Sequence, residues 1–129
     1  MDIEKKIEYW KKSAEHDLDT AQSLIKEKRY DWALFLGHLV LEKILKAHFV
    51  KKKGIFPPRT HNLILLIKAN EIKISEEEYN FFEEVNSFNI SVRYPDEQFK
   101  FYEFCSKEYV EEMFSKIKGK FECLRKKLK

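Results

Sequence analysis

The stretch Trp32-Ala-Leu-Phe-Leu-Gly-His-Leu-Val-Leu-Glu-Lys-Ile-Leu-Lys-Ala-His-Phe-Val50 decides the fold. Ala33, Leu34, Phe35, Leu36, Leu39, Val40, Leu41, Ile44, Leu45, Ala47, Phe49 and Val50 cover nearly every direction of a helical projection. A helix that is hydrophobic all round is buried all round. This segment therefore predicts the central helix of an all-α protein. Lys51-Lys-Lys-Gly54 closes it, with cations at the negative end of the helix dipole and a glycine just past the last turn.

Outward from this helix the period stays helical. Toward the N-terminus, Ile3, Ile7, Trp10, Ala14, Leu18, Ala21 and Ile25 recur at three- and four-residue steps, a single apolar stripe. The stripe ends near Lys28, and Asp31 is placed to cap the central helix, so the two helices form an antiparallel hairpin. Toward the C-terminus, Ile55-Phe-Pro-Pro58 is a stiff loop. Thr60 then caps a short helix with Leu63, Leu66 and Ile67. Ser75-Glu-Glu-Glu78 fits a capping box opening a fourth helix, and Ser106 caps the last one. Residues 89–104, with Pro95 and five aromatics, read as a long loop. The expectation is one domain over residues 1–129, an up-and-down bundle of about five helices.

Composition agrees and excludes several classes. Only three Gly and three Pro interrupt 129 residues, and 36% of the chain is charged. Twenty-five Lys and Arg face 22 Asp and Glu, for a net charge of +3, too balanced to announce nucleic-acid binding. Cys105 and Cys123 are too few for a disulfide framework and match no metal spacing. The start of the chain carries no apolar signal segment, and the longest uncharged apolar run, Trp32 to Leu41, is about half a membrane span. A cytoplasmic protein with no membrane association, no cofactor and no metal is expected. Glycine-rich phosphate loops, His-Glu-x-x-His and nucleophile-elbow motifs are all missing.

Polar residues inside the central helix are the first candidates for function. His38, Glu42 and Lys46 are spaced i, i+4 and i+8, one strip of an otherwise apolar cylinder. Two readings fit: a Glu42–Lys46 ion pair with His38 bonded to a neighbouring helix, or a strip facing a groove or a second copy. His61, beside Thr60, either closes the loop or joins free backbone N–H groups in receiving an anion. In Ser91-Val-Arg-Tyr-Pro-Asp96, Arg93 offers a planar five-donor fork for phosphate or carboxylate, Tyr94 a stacking ring and Asp96 an orienting carboxylate. Arg93 equally suits an internal clamp with Asp17, Asp96 or Glu42.

Taken together, the segments resemble the HEPN family. The residues that carry the resemblance are Ala14, Asp17, Leu18 and Ala21; Tyr30-Asp31-x-Ala33; His38-Leu-Val-Leu-Glu42-Lys43-x-x-Lys46; Thr60-His61-Asn62-Leu63; and Arg93-Tyr94-Pro95-Asp96, spanning roughly residues 5 to 127. The resemblance implies a bundle of five helices that pairs as a homodimer. It also implies a minimal nucleotidyltransferase as partner, in a two-component module of the toxin–antitoxin kind, and nucleotide as ligand. Arg93, Tyr94, Asp96, His38, Glu42, Lys46 and His61 are then the nucleotide-binding candidates, with no catalytic residue among them.

Family toxins that cleave RNA without metal use Arg, four to six arbitrary residues, then His. After Arg93 those positions hold Gln98, Phe99 and Lys100; after Arg29, Leu34, Phe35 and Leu36; after Arg59, Ile64, Leu65 and Leu66. Arg125 stands too near the end. The motif is absent, so an RNase would need a rearranged site built from Arg93 with His38 or His61. Binding and assembly are the expected work, with RNA a possible ligand.

Overall fold

The central helix, α2 (Tyr30–Lys53), is packed on by all the other helices: α1 (Ile3–Lys26), α3 (Leu63–Ala69), α4 (Glu76–Arg93), α5 (Pro95–Phe104) and α6 (Lys107–Lys126). This is a computed structural model, and it describes residues 2–128. The bundle is all-helical, and no strand occurs among the described residues. One contiguous core runs through it, from Ala14 and Leu18 of α1 through Leu34, Leu41 and Ile44 of α2 to Phe88, Ile117 and Phe121. Gly37 lets α6 approach closely, since a β-carbon there would lie 2.8 Å from Ile117 Cδ1.

Several helix ends are as the sequence predicts. The Ser75–Glu78 capping box is complete, Ser106 caps α6, and Gly54 ends α2 in the left-handed region at φ 68°. The connection between α1 and α2 is only Glu27–Arg29, so the hairpin is tight. Asp17, on the edge of the α1 stripe, is buried against α2, where Lys43 Nζ donates to it at 2.6 Å.

Three expectations need correction. Residues 89–104 are not a long loop: α4 runs on to Arg93, and α5 starts at Pro95, so the described residues form six helices where about five are expected. Proline disfavours helical backbone at the residue before it, and Tyr94 is accordingly extended at φ −111°, ψ 120°. At the first position of a new helix the same ring is favoured, because no partner is lost there. Arg29, not Asp31, is the N-cap residue of α2, and Asp31 lies in its first turn. Asn62, not Thr60, caps α3, accepting from Ile64 N and Leu65 N.

Candidate functional site

A chain of polar side chains threads from the middle of α2 to the end of α4. At its centre is Glu42, buried with 4% exposure. Lys46 Nζ donates to its Oε2 at 3.0 Å, one helical turn along, and His61 Nδ1 donates to Oε1 at 2.9 Å. His38 Nδ1 lies 3.8 Å from the same Oε1. A charge so deep is tolerated because both oxygens are engaged.

His38 is fully buried, and both ring nitrogens are occupied. Its Nε2–H donates to the His61 carbonyl at 2.7 Å. That leaves Nδ1 as an acceptor for Asn89 Nδ2–H, a long bond at 3.4 Å. Asn89 Oδ1 in turn accepts from Arg93 Nε at 2.6 Å, an i, i+4 bond along α4. The Arg93 guanidinium lies over the Phe35 ring, 5.8 Å from its centroid. Arg93, Asn89, His38, Glu42, His61 and Lys46 are thus joined in one network.

An open groove of ≈470 Å³ overlies this network, lined by residues including His61, Asn62, Asn86, Ser87, Asn89 and Ile90. His61 is exposed there, and its Nε2 has no partner among the described residues. The backbone N–H groups at the start of α3 are not open to an anion there. Asn62 takes Ile64 N, and Asn86 Oδ1 takes Leu63 N at 2.8 Å. His61 also precedes the helix rather than opening it.

Around Arg93 the arrangement differs from a carboxylate clamp. No acid pairs with it among the described residues; Asp17 is taken by Lys43, and Glu42 by Lys46 and His61. Asp96 lies exposed in the first turn of α5 with no hydrogen bond to Arg93, and Tyr94 is exposed beside it. Asn89 holds the arginine instead. Asn89 and Asn86 escaped the sequence reading. Their signal was present all the same, as amides at i, i+3 within the Phe82, Val85, Phe88, Val92 face of a helix, where Asn rarely serves packing.

Burial lowers the pKa of His38 below its ordinary 6.5, with Glu42 pulling the other way. A histidine whose folded pKa is depressed gives its full stability above the unfolded pKa and loses it as pH falls. The melting temperature should therefore drop as pH is taken below about 6.5. His48, also lowered by burial, adds to the slope. In His38→Gln the thermal melts should depend less on pH across that window, and an unchanged slope would show that His38 protonates freely in the fold.

Other chemistry is sparse. Burial pushes the Cys105 thiol up to about 12, so it stays protonated at neutral pH. Among the described residues, no group of three His, Cys, Asp or Glu gathers as metal ligands, and no helix is long and apolar enough to cross a membrane.

A family model of the HEPN domain matches residues 7–127. The chain belongs to the HEPN family. No curated protein and no solved structure matches it significantly. The match spans all the resemblance-carrying segments, and the helical bundle is the HEPN architecture. As a HEPN protein it belongs among modules of nucleotide- or RNA-related work or of protein interaction.

Proposed function

We propose that this HEPN protein is a nucleotide-binding and protein-interaction module. It works as a homodimer beside a minimal nucleotidyltransferase, in a two-component module of the toxin–antitoxin kind. The observation that carries the binding half is the state of Arg93. Asn89 takes only its Nε and Phe35 supports its flat face, while no carboxylate neutralises it. The two Nη groups are left for a phosphate, pre-aimed by the His38–Asn89 network. His61 presents its Nε2 at the groove, a donor to phosphate once the ring is protonated, with Glu42 and His38 positioning it from below. Tyr94 offers a ring to the base, and Asp96 a carboxylate to a sugar hydroxyl or a partner's cation. Lys46 serves the site by holding Glu42.

The interaction half rests on α5 and the turn before it. Tyr94, Phe99, Tyr102 and Phe104 are each more than half exposed. Monomeric proteins seldom leave such aromatic surface uncovered, and a second copy of the chain is the occupant proposed.

Calorimetric titration with AMP and with ATP at low salt tests the reading. Arg93→Ala should weaken binding by at least ~tenfold, the effect of losing charge-assisted hydrogen bonds. Equal affinity in the variant, or no binding by the folded protein, would sink it. Light scattering on the same sample should give twice the chain mass, falling to one chain when Phe99 and Tyr102 are both replaced by Lys.

A second reading, metal-independent RNA cleavage, is favoured by one observation: the His61 imidazole, backed by Glu42, keeps a free Nε2 at the groove. His61 rather than the enclosed His38 would then be the base, with Arg93 on the phosphate. RNA left intact by the protein in EDTA would rule this out.

A further inference from the structure

The second oxygen of Glu42 leads away from the groove. Lys46, which it holds, lines a separate pocket of ≈290 Å³ with Trp10 of α1 and with Phe56, Pro57, Pro58 and Arg59 of the loop after α2.

Every polar side chain in this wall is a donor. Trp10 Nε1–H is buried without a partner among the described residues. Lys46 is itself buried, uses one N–H on Glu42, and rests its ammonium 5.3 Å above the Trp10 ring. Arg59 makes no ion pair among the described residues, and Lys6 Nζ lies 5.5 Å over the Phe56 ring. No carboxylate lines the pocket. The remaining wall is flat and apolar: an indole, a phenyl and two pyrrolidine rings.

Unpaired buried donors are uncommon in folded proteins, because each has given up water without return. One buried donor without a partner, beside the cations of Lys46 and the exposed Arg59 and with no carboxylate in the lining, calls for a ligand that brings the acceptors, and the apolar rings call for a flat body. We propose that this pocket binds a small organic anion, a single planar ring bearing a carboxylate or a phosphate. The ring lies against Trp10, Phe56 and the prolines, and the anionic oxygens meet Lys46 and Arg59. The pocket volume is at the lower end for small-molecule sites, which suits a single ring. Arg93 is not part of this pocket, so the proposal does not depend on the groove reading.

Trp10 is a built-in reporter once Trp32→Phe removes the other indole. Its fluorescence should respond saturably to benzoate, to phenyl phosphate, or to both. Affinity should fall at least ~tenfold in Arg59→Ala and stay unchanged in Arg93→Ala, with circular dichroism checking that each variant is folded. A response to benzoate only assigns a carboxylate ligand, and one to phenyl phosphate only assigns a phosphate ester; either supports the proposal. It is overturned if neither gives a saturable response, if inorganic phosphate binds as tightly as phenyl phosphate, or if Arg59→Ala leaves the affinity unchanged. A response lost in Arg93→Ala also overturns it, because the signal would then arise at the groove.

Discussion

Replacing Glu42 with alanine should cost about 3–5 kcal/mol of folding stability, the range for breaking a buried ion pair from one side. The substitution strips Lys46 of its partner while leaving the ammonium buried, and it also orphans the His61 Nδ1–H. Urea unfolding followed by circular dichroism near pH 7.5 gives the number. The double variant Glu42→Met, Lys46→Met should recover most of the loss, since an apolar pair of similar volume removes both desolvated charges together. A single-variant loss below about 1 kcal/mol would mean that Lys46 swings its head into solvent at no cost, and that the network is ornamental rather than structural.

A loss of similar size, about 3–5 kcal/mol, is expected for Phe88→Ala. Phe88 is 1% exposed and ties three helices together. Its ring centroid lies 5.4 Å from that of Phe101 on α5 and 6.4 Å from that of Tyr109 on α6. Phe101 is the one residue of α5 that is buried, so this helix depends on that contact more than any other. Amide hydrogen exchange should therefore accelerate across α5 before it does in α2. Uniform protection of α5 in the variant would show that something other than the aromatic cluster holds it.

How much of this was readable from the chain depends on the distance over which each signal acts. The all-round apolar character of residues 32–50 is local, and it made α2 the centre of the bundle. The capping residues Ser75 and Ser106 act within one turn, and both ends were placed correctly. Pro95 misled because one residue type serves two opposite purposes. Its ring bars the preceding residue from a helix yet suits the first position of the next, and only packing on Phe88 shows that a next helix exists. Among the polar residues, the Glu42–Lys46 pair follows from helical spacing. The linkage of Arg93 to His38 does not, because Asn89, on the same helix as Arg93, reaches His38 on α2, 51 positions away along the chain. The pocket behind Lys46 was hidden for a similar reason. Trp10 looked like one more member of an apolar stripe, and its unpaired N–H is visible only once the chain is folded.

The tight α1–α2 hairpin has a consequence for the order in which the molecule assembles. Its connection is three residues long, so docking α1 on α2 closes a short loop and loses little chain entropy. It is also the most extensive helix–helix packing in the fold. Contact between α2 and α6 is the reverse, because it must wait until α3, α4 and α5 are spanned. Rapid formation belongs to the hairpin, and the slow step to the return of α6 against Gly37, where a close fit leaves little tolerance for an approximate arrival.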